Sequence, residues 1–211
     1  VKDYGAKGDG VTDDTQAVKD ALSAASTSCR KVYVPATATG YLISGDSIII
    51  PIGVTLYGES SGYNGIWTSA SQGSVLLITA NPTSESGNPV FIMRYGSKFK
   101  HISVYYPNQT PTNPPIAYPY LIKGESSNCN DVVIDDIFLH NCYQFADFSI
   151  PHERVRFSNI YGDVLKSGIV IDNCSDVDRI EDIHFWPYFN LGKTAGETLA
   201  LYTYRANNTI G

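Results

Sequence analysis

Apolar residues recur with helical spacing only near the start of the chain. Ala17, Val18, Ala21, Leu22 and Ala25 fall at i, i+1, i+4, i+5 and i+8, a narrow stripe of small residues suited to lying on a flat surface. Asp13 or Asp14 stands before it as an N-cap, and Asp13 with Gln16 makes a capping-box pattern. The stripe fades over 23–28, where Ser and Thr accumulate. Beyond it, short apolar runs between turn residues predict strands at 31–34, 41–44, 47–50, 54–57, 75–78 and 90–93.

The later half of the chain repeats. Val132-Val133-Ile134-Asp135-Asp136-Ile137, Val155-Arg156-Phe157-Ser158-Asn159-Ile160 and Asp178-Arg179-Ile180-Glu181-Asp182-Ile183 share one pattern. Their closing isoleucines are 160 − 137 = 23 and 183 − 160 = 23 residues apart. An earlier copy, Phe99-Lys100-His101-Ile102, lies 137 − 102 = 35 residues upstream, and the Pro-rich stretch 107–119 supplies the excess. A strand repeat of this length predicts an all-β, single-stranded parallel β-helix, each turn stacked about 4.8 Å above the last. Ile134, Phe157 and Ile180 would then form an inner column. Asp136, Asn159 and Asp182 would share a bend, where Asx residues tolerate left-handed backbone. Segments 143–148 and 168–172 align one repeat apart, with Ala146 over Ile169 and Phe148 over Ile171. Residues 1–30 form an N-terminal turn and capping helix on this reading, and 31–211 the rungs. A last strand is predicted at 198–204. No cap is visible after it, and an open solenoid end is normally covered, so the chain is expected to be a fragment of a longer protein.

Composition narrows the function. With 43% hydrophobic and 17% charged residues, the 211-residue chain is not intrinsically disordered. Its 15 Tyr, 18 Gly and 11 Pro suit strands and turns, and the Tyr excess also suits stacking on sugars. A net charge of −6 argues against nucleic acid and anionic membrane surfaces as partners. The longest apolar run, 48–54, is far short of the roughly 20 residues of a bilayer span, and the first residues do not read as a signal peptide. Cys29, Cys129, Cys142 and Cys174 form no C-x-x-C pair, so they are expected to be free thiols with no metal site.

The opening Tyr4-Gly5-Ala6-Lys7-Gly8-Asp9-Gly10-Val11-Thr12-Asp13-Asp14-Thr15-Gln16-Ala17-Val18 resembles the start of the pectate-lyase-like superfamily of right-handed β-helices. Lys31-Val32-Tyr33-Val34-Pro35, Tyr41-Leu42-Ile43-Ser44-Gly45 and Ile50-Pro51-Ile52-Gly53-Val54-Thr55-Leu56-Tyr57-Gly58 are similar to its first rungs. More loosely, 104–109, 116–119 and 183–188 look like bacteriophage tailspikes. The resemblance implies a right-handed parallel β-helix with an N-terminal capping helix. It also implies a virion tail protein, a homotrimer among other tail proteins, that attaches to a host polysaccharide, with depolymerisation left open. A non-catalytic receptor-binding virion protein and a secreted extracellular polysaccharide lyase or epimerase are the alternatives. The paired aspartates and Gly-His-Gly of polygalacturonases have no match here.

Candidate chemistry follows from the repeat. Positions one and three after each closing isoleucine should face outward. They offer Tyr105, His140, Tyr161, His184 and Trp186 as a sugar-binding strip. Cleavage of a glycan needs paired carboxylates or a base beside a charge neutraliser. Asp147, facing outward, Asp172, ending its strand, and Asp163, on the preceding turn, are the catalytic candidates, with Glu153, Arg154 and Arg156 behind them. No cofactor is expected beyond Ca²⁺ at the acidic run Asp176, Asp178, Glu181 and Asp182, which turn solvation explains equally well.

Overall fold

A computed structural model describes residues 1–28, 30–59, 73–109, 115–125 and 129–186, and its strands pair in parallel. The strands are β1 (Asp9–Asp13), β2 (Lys31–Val34), β3 (Gly40–Ile43), β4 (Ile48–Ile50), β5 (Thr55–Gly58) and β6 (Val75–Ile78). They continue as β7 (Phe91–Met93), β8 (Lys98–Tyr105), β9 (Tyr120–Gly124), β10 (Val133–Phe148), β11 (Arg156–Ile171) and β12 (Arg179–Trp186). The chain is a parallel β-helix with three faces. The first stacks β2, β5 and the starts of β8, β10, β11 and β12. The second stacks β1, β3, β6 and the ends or middles of those long strands. The third stacks β4, β7, β9 and the last parts of β10 and β11.

The predicted register is observed. Ile102, Ile137, Ile160 and Ile183 lie in one file, and the first three are fully buried. Phe99, Ile134, Phe157 and Ile180 form a second. Burial of such side chains is worth about 1.5–3 kcal/mol each, which is why a one-residue slip is not tolerated. Between these files the chain turns from the first face to the second at His101, Asp136, Asn159 and Asp182, all at φ near +55°. The 35-residue interval closes in register as well: β10 pairs with β8 up to Tyr105 and with β9 from Tyr120.

One irregularity interrupts the register of the second face. Leu139 pairs with Gly162 and Cys142 with Val164, so His140 and Asn141 together face Asp163 across a bulge. Asn141 at φ +55° and Gly162 at φ +124° turn the two strands there. A Cβ on Gly162 would lie 1.9 Å from the Leu139 carbonyl oxygen, so only glycine permits this approach.

The helix α1 (Thr15–Ala25) packs on β2 and β4 through Val18, Ala21, Leu22 and Ala25. Its N-cap differs from the expected capping box. Asp14 occupies the cap position, but its carboxylate accepts the Lys7 and Gly8 amides at 2.6 and 3.0 Å, holding the glycine-rich turn. Asp13 accepts the Thr15 amide at 3.0 Å, and Gln16 turns outward to Asp20. Strand β1, whose one apolar side chain is Val11, and strand β9 (Tyr120–Gly124) were not among the predicted strands. Cys129 and Cys142 are buried free thiols, while Cys174 is partly exposed; Cys29 and the strand expected at 198–204 lie outside the described residues.

Candidate functional site

The expected sugar-binding strip is only partly on the surface. Tyr161 is 38% exposed and His184, beside it in register, is exposed too. Tyr105 is half-buried. His140 and Asp163, expected outside, are 1% and 0% exposed. His140 packs edge-on against Phe138 at 4.2 Å and Tyr105 at 6.1 Å, and burial pushes its imidazole down to about 2. Asp163 lies within β11 and accepts the Asn141 amide at 2.8 Å across the bulge. His140 and Asp163 both sit at the bulge, where the register shifts and simple alternation along the strand no longer predicts exposure. Of Trp186 only the backbone position, opposite Asp163, is described.

Asp147 lies on the third face in the file Ile49, Ile92, Lys123, Asp147, Val170. Lys123 meets it at 2.8 Å and also sits 5.3 Å over the Tyr120 ring. Burial opposes ionisation of Asp147, but hydrogen bonds from Lys123 and Ser149 outweigh it and hold the carboxyl below the usual range. Tyr120 and Ser167 share a 3.2 Å hydroxyl contact, and beyond them Glu85 binds both Lys166 and the Tyr143 hydroxyl. Hydrogen bonds from Lys166 and Tyr143 lower the Glu85 carboxyl. Each carboxylate here is an ionised partner of a lysine, able to accept a proton but not to donate one at neutral pH. Asp172 is exposed just past the end of β11, where its carboxylate accepts the Asn173 amide.

A cationic concave surface lies on the first face instead. Outward positions stack as Lys31, Thr55, Lys98, Val133, Arg156 and Arg179, a file with four cations and no carboxylate. Beside it run Tyr33, Tyr57, Lys100, Asp135, Ser158 and Glu181. A recess of about 500 Å³ is lined by Lys98, Asp131, Arg154, Arg156 and Arg179, among others. A second, about 300 Å³, is lined by Lys31, Tyr57, Lys98 and Lys100, so Lys98 lines both recesses of this trough-like face. At one end the Tyr33 and Tyr57 rings stand 5.3 Å apart.

The trough's cations differ in their engagement. Arg154 forks onto Asp131 at 2.7 and 3.1 Å and reaches Glu153 and Asp176; Arg156 pairs with Glu181 and Lys100 with Asp135. Burial disfavours the Asp135 carboxylate, but Ser158, Asn159 and Lys100 more than offset this and hold it at about 2. Lys98 and Arg179 make no ion pair among the described residues. Exposed pairs of this kind are worth about 0–1 kcal/mol, so a ligand carboxylate can replace Glu181 at little cost. Of the trough's cations, the sequence reading had singled out Arg154 and Arg156. The 23-residue interval that places Arg156 beside Arg179 was available to extend it. The acidic run expected to attract Ca²⁺ is divided: Asp176 faces Arg154, Asp178 faces His152 and Glu181 faces Arg156.

Comparison with known proteins fits this architecture. Residues 1–186 match the model of the rhamnogalacturonase A/epimerase, pectate lyase-like family. The chain belongs to that family. Within the pectate-lyase-like fold, it is similar to the crystal structure of a protein named as a glycosyl hydrolase from Parabacteroides merdae. The TM-score is 0.57 at 18% identity, covering 87% of this chain and 83% of that one. A 60-residue segment is 43% identical to a non-secreted LysM effector, LysM19, of Penicillium expansum; it is 28% of this chain and 4% of that protein's length.

Proposed function

We propose that this pectate-lyase-like chain recognises an acidic polysaccharide laid along its first face, parallel to the stacking axis. The observation that carries this is the file Lys31, Thr55, Lys98, Val133, Arg156 and Arg179, whose four cations border two recesses that share Lys98. Adjacent rungs are about 4.8 Å apart, close to the length of one pyranose unit. Carboxylates on an extended uronate chain therefore reach cations at the rungs of Lys31, Lys98, Arg156 and Arg179, with Thr55 and Val133 at the rungs between. Tyr33 and Tyr57 at the end of the trough suit the apolar face of a sugar ring. The net charge of −6 does not oppose this contact, because screening limits each charge to about 8 Å at physiological ionic strength.

The test is affinity electrophoresis and calorimetry against uronate-rich and neutral polysaccharides of equal length. Binding should be confined to the acidic glycans, weaken with added salt, and fall in Lys98→Glu and Arg179→Glu. Equal binding to neutral chains, or insensitivity to both substitutions, overturns the reading. The same incubations decide whether recognition is followed by chemistry. Reducing ends alone indicate hydrolysis, unsaturated uronates a lyase, and inverted uronate without new ends an epimerase. The wider role read from the tailspike-like segments is a homotrimeric virion protein that attaches to host polysaccharide. Sedimentation tests it, since a stable monomer speaks against that assembly.

A further inference from the structure

Beside the trough, the loops leading into β11 and β12 bring together His152, Cys174 and Asp178. His152 and Cys174 pair across adjacent rungs, and Asp178 follows four residues later. The His152 side chain is wholly buried and that of Asp178 is 10% exposed. One ligand atom from each of the three lies within 4.8 Å of the others.

Each side chain is oriented by backbone. His152 Nδ1 lies 2.7 Å from the Ile150 carbonyl, which can only accept, so Nδ1 carries a proton and donates it. Asp178 Oδ1 accepts the Val155 amide at 2.8 Å, and the Cys174 thiol lies 3.0 Å from the Asp176 carbonyl. Nε2 is thereby aimed at Asp178 Oδ2, 2.8 Å away. With Nδ1 protonated, a neutral imidazole presents a lone pair there, facing a carboxylate. Two acceptors at that distance share a proton, and a metal ion bound to both at about 2.0–2.1 Å would part them to about 3.3 Å, a shift of about 0.5 Å.

We propose that His152, Cys174 and Asp178 form a three-ligand site for a divalent transition metal, with zinc as the best-fitting ion. The donor set is one imidazole nitrogen, one thiolate and one carboxylate oxygen, which suits tetrahedral zinc with water as the fourth ligand; calcium prefers oxygen throughout. The Ile150 carbonyl holding Nδ1 is the outer partner that metal-bound histidines regularly have. Binding releases the Cys174 thiol proton, and the ion replaces any proton held between Nε2 and Asp178. The site ties together the loops that carry two adjacent rungs, so its first consequence is structural.

The experiment is titration of the metal-free protein with cobalt(II), then displacement by zinc. A near-ultraviolet thiolate-to-cobalt band and visible bands of tetrahedral cobalt should rise together and saturate at one equivalent per chain. Zinc should abolish them, raise the unfolding temperature, and protect Cys174 from a thiol reagent. Cys174→Ser should remove the near-ultraviolet band. Loss of an outer partner costs about 10–100-fold in affinity and loss of a ligand no less, so Asp178→Asn should weaken binding at least about 10-fold. Should either variant fail to fold, zinc protection of Cys174 in the unaltered chain, read by mass spectrometry, decides alone. Absence of a thiolate band with unchanged labelling of Cys174 means that His152 and Asp178 form a protonated ion pair only, and the proposal fails. A band that survives Cys174→Ser places the metal elsewhere and fails it equally.

Discussion

Replacement of Gly162 by alanine isolates the contribution of one close approach between rungs. At φ +124°, an alanine backbone carries a strain of about 1–3 kcal/mol. The added Cβ would also stand 1.9 Å from the Leu139 carbonyl oxygen and 2.8 Å from its nitrogen and carbonyl carbon. These are backbone atoms of the next rung, so no side chain can swing aside, and the strands must separate by more than 1 Å. Overpacking of that kind costs about 1–3 kcal/mol. Gly162→Ala should therefore lose about 2–6 kcal/mol, a large share of the roughly 5–15 kcal/mol that holds a domain folded. Gly53 is the control: it has φ +67°, and its added Cβ would meet nothing within 4 Å. Gly53→Ala should cost only the conformational strain, about 1–2 kcal/mol. Urea unfolding followed by far-ultraviolet circular dichroism compares the two midpoints. Equal shifts in both variants would show that the rungs part freely at residue 162, and the argument for an obligatory glycine there would be wrong.

Further outcomes test the rest of the structure. Ile160→Ala, in the fully buried file, should cost about 2–5 kcal/mol by urea denaturation, and Ile183→Ala less, because Ile183 is only partly buried. Asp135 titrates at about 2 in the folded chain against about 3.9 when unfolded. Its lowered value contributes stability above pH 4 that is lost as the pH falls towards 2. Asp135→Asn should flatten the acid limb of a stability–pH curve over that interval, and an unchanged limb would exclude Asp135 as its source. Asp147→Asn breaks a half-exposed pair with Lys123 and should shift stability by no more than about 1 kcal/mol. Any glycan cleavage that this variant retains in full removes Asp147 from the catalytic candidates.

The match between pattern and structure was closest where the signal is periodic. Three copies at 23 residues placed Ile137, Ile160 and Ile183 in one file, because neighbouring parallel strands must pair residue for residue. The bends at Asp136, Asn159 and Asp182 were legible for a local reason, since left-handed backbone favours short polar side chains. The capping box failed because Asp14 is drawn to the Lys7 and Gly8 amides, a competition that the helix pattern alone does not contain. His140 and Asp163 were misplaced at the bulge, where two residues of β10 answer one of β11 and simple alignment loses its meaning. The His152–Cys174–Asp178 group was invisible to a search for paired cysteines, because its members come from two loops on successive rungs.

By itself, then, the amino-acid order determined the winding of this protein: its period, its inward files and the positions where the backbone must turn. Those properties belong to single strands and to the spacing between copies, both of which are linear. Tertiary structure decided which outward residues remain in solvent. Phe138 and Tyr161 occupy equivalent positions in neighbouring rungs, yet one is 1% and the other 38% exposed. It also decided which charges face an open trough and which loop side chains converge. Exposure and convergence depend on segments far away in the chain, and no periodicity within a strand encodes what lies over it.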